Sequence, residues 1–259
     1  MIREDFSELV SKSQAGDEKA MIQLLLQAYS PVSYLARKIL QNERTASQVI
    51  QEVLEILSHK LHSLDDTTQF ESWICRITAA RCVHAMPLLH RATAKSVAAS
   101  RWDNTLDDGQ ILTETQSVEI IQEMVSSLPE DQRLCILLIS CCGLGLSAIS
   151  QLTGFPVSTV ADCIEKGQAT IQSYLWEAEN RGIQFVGISS LTEILHTAMF
   201  QTEADDDEAI PVVYHLLGKE IPVPPNPGKW VAIILGIVLA VLVGAFVFLG
   251  GTLIMRMMG

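Results

Sequence analysis

The sequence predicts an all-α protein: two small helical domains followed by one C-terminal transmembrane helix. Three observations predict it. Apolar residues recur at three- and four-residue spacing, and no strand-length alternation stands out in the first half. Residues 128–176 carry the spacing of three short helices with a glycine break between the second and third. Residues 230–255 contain no charged side chain and are almost wholly apolar.

Residues 5–30 read as one or two helices, with Gly16-Asp17 supplying a break and a cap. Residues 31–92 read as three more, with stripes Val32/Leu35/Ile39/Leu40, Val49/Ile50/Val53/Leu54/Ile56/Leu57 and Phe70/Trp73/Ile74/Ile77/Val83. Together they make a first domain over 1–92. Residues 93–117 are polar and rich in Ser, Thr and Asp, which predicts a linker. A second helical domain is predicted over 118–182. A juxtamembrane segment follows over 183–228, with two short amphipathic pieces (188–200 and 209–217) around the acidic run 203–208. It ends in IPVPPNPG, whose four prolines favour an extended, semi-rigid spacer.

The transmembrane helix is placed over 229–256. As a helix, the uncharged run would span about 39 Å, more than the roughly 30 Å hydrocarbon core. Lys229 and Arg256 balance across it, so charge does not orient it. The N-terminus lacks the apolar core of a signal peptide. The expected arrangement is therefore single-pass in the cell membrane, tail-anchored, with the N-terminal domains cytoplasmic. Ala232, Gly236, Ala240 and Gly244 recur every four residues, and such a small-residue stripe lets two helices approach closely. It marks Gly236, Ala240 and Gly244 as candidate packing positions in a homodimer.

The 259 residues carry a formal net charge of -12, an unusual balance for a nucleic-acid binder. The charge is uneven. From Pro31 to Arg101 nine Lys/Arg stand against six Asp/Glu, a net of +3; from Glu119 to Glu177 two stand against seven, a net of -5. DNA contact is thus expected in the first domain before the second. The six cysteines form no CxxC pair and fall in apolar helical stretches, so they read as buried, reduced thiols. The histidines are scattered and offer no ligand spacing. No metal or other cofactor is expected, and no nucleotide loop or catalytic triad points to an enzyme.

In residues 128–176, Leu134/Leu137/Leu138, Ile149/Leu152 and Val160/Ile164/Ile171 form the apolar faces of a helix-turn-helix. Gly154 and Pro156 mark the turn, and Ser158 is the expected N-cap of the third helix. That helix would enter the major groove of DNA. Its expected exposed positions are Ala161, Asp162, Cys163, Glu165 and Lys166, two carboxylates and one ammonium, a poor complement to a polyanion.

The order of parts resembles the extracytoplasmic-function class of sigma factors of bacterial RNA polymerase over about residues 14–177. The resemblance rests on AGDEKAMIQLLLQAYSPVSYLARKIL, ASQVIQEVLEIL (with Gln51-Glu52-Val53) and FESWICRITAARCV (with Phe70 and Trp73), then on LPEDQR at 128–133 and the helix-turn-helix. It implies a region 2 domain that docks on polymerase and melts promoter DNA, and a region 4 domain that reads the upstream promoter element. It assigns polymerase binding to Gln48, Gln51, Glu52 and Glu55. DNA-binding candidates on the helix-turn-helix are Ser158, Thr159 and Lys166; in the first domain the basic residues Arg76 and Arg81, with Arg37, Lys38 and Arg91, read either as a track for promoter phosphates or as a solvated helix face. Departures are clear: Ser47 and Gln48 replace acidic residues, and Ala80, His84 and Pro87 replace Asn and Asp-x-x-Arg. Of four basic recognition-helix positions, Ala161, Cys163 and Gln168 are lost.

The resemblance implies RNA polymerase core, promoter DNA and an anti-sigma protein as partners, with the membrane as a fourth from the apolar run. Two other readings stand beside the tethered sigma factor. One is a sigma-derived adaptor acting through protein contacts without DNA binding. The other is a one-piece sensor whose residues 186–228 cover region 4.

Overall fold

The computed structural model describes residues 5–86, 106–187, 190–201 and 205–221. Among them the architecture is all-helical, with ten α-helices and one isolated bridge between Ile111 and Gln184. The described residues up to Gly218 form one compact unit.

The first helices follow from their caps. α1 (Phe6–Gln14) starts at Asp5, whose carboxylate accepts from the Ser7 amide. Gly16 turns the chain at φ 91°, and Asp17 caps α2 (Glu18–Leu40) by accepting from the Lys19 and Ala20 amides. α2 runs straight through Pro31, where sequence reasoning begins a new helix. Proline forfeits one backbone bond, but residues 28–36 are all buried, so packing on every side holds the helix together. α3 (Glu43–Lys60) is capped by Asn42, and α4 (Phe70–Ala85) packs across α2 and α3. Trp73 is half-buried against the core, 6.1 Å from the Phe70 ring.

α5 (Glu114–Ser126) opens on a capping box between Thr113 and Gln116. Residues 106–112 pack with Ala178 and Ile183 in a small separate cluster. α6 (Glu130–Ser140), α7 (Leu146–Thr153) and α8 (Val157–Asn180) form the helix-turn-helix. α9 (Leu191–Gln201) packs on α2, α5 and α6, while α10 (Asp206–Leu216) packs on α2 and α3.

The two halves share one core. Arg133 of α6 is only 7% exposed and donates to Leu128 O (2.9 Å) and Ile39 O (3.4 Å), reaching the carbonyl end of α2. Burial lowers its pKa, and its Nε has no partner. Gln41 Nε2 donates to Ser126 O (2.7 Å). Cys75 Sγ lies 3.9 Å from Cys141 O, and Cys142 Sγ donates back to Cys75 O at 3.9 Å. All six cysteines are free thiols and five are buried.

Among the described residues no helix is long and apolar enough to cross a membrane. The predicted span over 229–256, with Gly236, Ala240 and Gly244, lies outside the described residues.

Candidate nucleic-acid and polymerase interface

The turn between α7 and α8 is tightly specified. Gly154 takes φ 76° at the end of α7, a conformation that L side chains rarely adopt. Ser150 Oγ donates to Phe155 O (2.6 Å), and the Phe155 amide donates to Thr153 Oγ1 (3.2 Å). α8 then begins at Val157 behind Pro156, with no side-chain cap. Ser158 therefore sits inside the helix, not at its N-cap, because Pro156 takes the cap position two residues earlier.

Ser158, Thr159, Asp162, Glu165 and Lys166 are exposed on α8, and Ala161 is half-buried. Cys163 differs from expectation. It is 5% exposed, and its Sγ donates to Asp131 Oδ2 of α6 at 3.6 Å. Val160, Cys163, Ile164, Gly167 and Ile171 are all buried, one continuous stripe at three- and four-residue spacing. A Cβ on Gly167 would lie 2.9 Å from Ile136 Cγ1, so the glycine sets how closely α8 approaches α6. The basic slot at 163 thus faces α6, and the exposed charges of the first turns are Asp162, Glu165 and Lys166.

The basic candidates of the first half do not form one track. Arg37 is held by Glu43 (3.0 Å) and Glu208 (2.7 Å). Lys38 lies 5.7 Å from the Tyr34 ring centroid, and burial lowers its pKa. Arg81 reaches Glu52 at 3.9 Å, and Arg76 is exposed on α4. Arg91 lies outside the described residues.

Gln48, Gln51, Glu52 and Glu55 occupy one exposed face of α3, as spacing of three and four residues dictates. Gln51, Glu55 and His59 line a cleft of about 590 Å³ whose other wall is Pro211, Val212, His215 and Leu216 of α10. The cover supplied by α10 escaped sequence reasoning. The one signal was an apolar face on residues 209–217 with no neighbouring segment to bury it.

Residues 118–161 match the model of the family described as Sigma-70, region 4. The chain is similar to the protein named ECF RNA polymerase sigma-E factor from Escherichia coli (strain K12), 25% identical over 175 residues, which cover 64% of this chain and 91% of that relative. The proteins of that name from Escherichia coli O157:H7 and Shigella flexneri match to the same extent. Over these stretches the chain is similar to extracytoplasmic-function-type sigma factors. Its α2–α4 and α6–α8 stand where the region 2-like and region 4-like blocks fall in the sequence. The family-model match ends at Ala161, two residues before the buried Cys163.

Proposed function

We propose that the chain is a membrane-tethered, non-catalytic sigma-type factor in transcription initiation that engages RNA polymerase core through α3 and makes only weak promoter contacts through α8. The similarity to sigma-E factors supports the polymerase partner. One observation carries the weakened DNA contact: exposed Asp162 and Glu165 flank the only exposed cation of the early α8 face, Lys166, while Cys163 is turned inward. Phosphate neutralisation supplies most non-specific affinity, and this face offers little of it. The uncharged run 230–255 supports the tether and a cell-membrane location. Gly236, Ala240 and Gly244 would then pack a homodimer in the bilayer. Crosslinking in membranes that shows no self-association, with or without Gly236→Ile, would remove that part.

The acidic α8 face also favours a second reading, in which the chain is an adaptor that binds polymerase or an anti-sigma partner without touching DNA. Transcription from a promoter library by core polymerase plus the chain separates the two. The sigma reading expects initiation and DNA binding that weakens steeply with salt; the adaptor reading expects neither. If the chain neither binds polymerase nor initiates anywhere, the sigma reading fails.

A further inference from the structure

We infer that α10 is a displaceable cover on the polymerase-docking face of α3, so that binding of core polymerase and closure of α10 exclude one another; the inference rests on the polymerase reading of α3 proposed above. The two juxtamembrane helices are held very differently. α9 buries Ile194, Leu195, Ala198, Met199 and Phe200, with the Phe200 ring 6.4 Å from Phe6, and is an anchor in the shared core. α10 buries only Ala209 and Val213. Its eleven residues include an internal Pro211, which removes a backbone hydrogen bond from a helix already short for independent stability.

What fastens α10 lies at its first turn. Glu208 accepts from Arg37 Nη2 at 2.7 Å and from Tyr29 Oη at 3.4 Å, and both Glu208 and Arg37 are partly exposed to solvent. Beyond that clasp α10 rests on α2 and α3 through the partly buried Val212, Leu216 and Leu217, with an open seam on its solvent side. The cleft of about 590 Å³ separates Pro211, Val212, His215 and Leu216 from Gln51, Glu55 and His59. A tight anchor, a solvent-exposed clasp and an open seam together describe an element that lifts while its base stays in place. Two of the four expected polymerase-binding residues, Gln51 and Glu55, stay exposed but face α10 across that cleft, where a docked partner would meet the helix. This places the cover over the first domain's docking face, whereas a segment over region 4 would have masked α8.

A covered face weakens apparent affinity by the fraction of time it is open; closure about nine-tenths of the time costs about tenfold. The test uses the full chain in detergent micelles. Binding to core polymerase is measured for the parent, for Glu208→Lys, which sets a second cation beside Arg37, and for Val213→Asp, which expels α10 from its apolar seat. Hydrogen exchange of residues 206–216 is followed in the same samples. The expected result is that both variants bind about tenfold tighter than the parent, and that polymerase speeds exchange in 206–216 while slowing it in 48–59. Because Glu208 is exposed, its variant keeps the fold even if Val213→Asp does not. Polymerase binding that leaves exchange in 206–216 unchanged, with variants no tighter than parent, overturns the inference and leaves the sigma reading standing. No binding by parent or either variant overturns the sigma reading and the inference with it.

Discussion

Replacing Cys163 with arginine separates what the sequence suggests from what the packing dictates. On sequence alone Cys163→Arg restores a lost basic contact on the recognition helix and should strengthen DNA binding. In the structure the side chain is 5% exposed and lies against Asp131 of α6, between Val160 and Gly167 on the buried stripe. Arginine is far larger, and overfilling a packed interface costs about 1–3 kcal/mol. The Asp131 carboxylate offsets part of the added burial cost of the charge. For a folded unit of this size each kcal/mol moves the melting midpoint by about 2–4 °C, so a fall of about 2–12 °C is expected. The paired control is Asp162→Lys on the exposed neighbour, which changes charge without entering the interface. It should leave the midpoint within about 2 °C, the effect of an ordinary surface change. It should also strengthen DNA binding and steepen the log–log salt slope by about 0.9 for each additional phosphate neutralised. Thermal unfolding followed by circular dichroism and fluorescence anisotropy with duplex DNA read both quantities. A Cys163→Arg protein that melts with the parent and binds DNA more tightly than Asp162→Lys would refute the packing account.

Three further outcomes follow from the same packing. Gly167→Ala should destabilise by on the order of 1 kcal/mol instead of gaining the roughly 1 kcal/mol of helix propensity, since the new Cβ meets Ile136 Cγ1 at 2.9 Å; denaturant unfolding checks the sign. Arg133→Ala should cost about 1–3 kcal/mol, because Leu128 O and Ile39 O lose a charged donor in a buried setting, and a single cooperative transition should weaken as one. Burial pushes the Cys82 and Cys135 thiols up to about 12. A raised thiol pKa contributes stability that is full below the unfolded value near 9 and is lost as pH rises through the folded one. Each such thiol should therefore cost on the order of 1.4 kcal/mol per pH unit between about pH 9 and 12. Cys82→Ala with Cys135→Ala should flatten that alkaline limb in denaturant melts at stepped pH.

Much of the helical frame was legible because its signals are local. Gly16 and Asp17 announce a break and a cap, Gly154 and Pro156 announce the turn, and the stripes of α3 and α6 fix their buried faces. Pro31 misled because proline acts on local geometry, while burial of its neighbours is a tertiary effect. Cys163 misled for a different reason. Its alignment with a basic slot outweighed its place in the 160/163/164/167/171 spacing, although that spacing alone would have turned it inward. Ser158 lost the cap to Pro156, which sets the helix entry earlier. The exposed faces of α3 and α8 could be placed on their helices from periodicity. The bridge from Arg133 to Ile39, and the cover of α3 by α10, join segments 94 residues or more apart and have no local signature.

Titration of the full chain in detergent micelles with RNA polymerase core, alongside Glu55→Arg on the exposed face of α3, decides whether α3 is a polymerase-docking face. Saturable binding by the parent is expected, with a loss of at least tenfold in the variant and an unchanged melting midpoint. Equal binding by both proteins, or none by the parent, would contradict it.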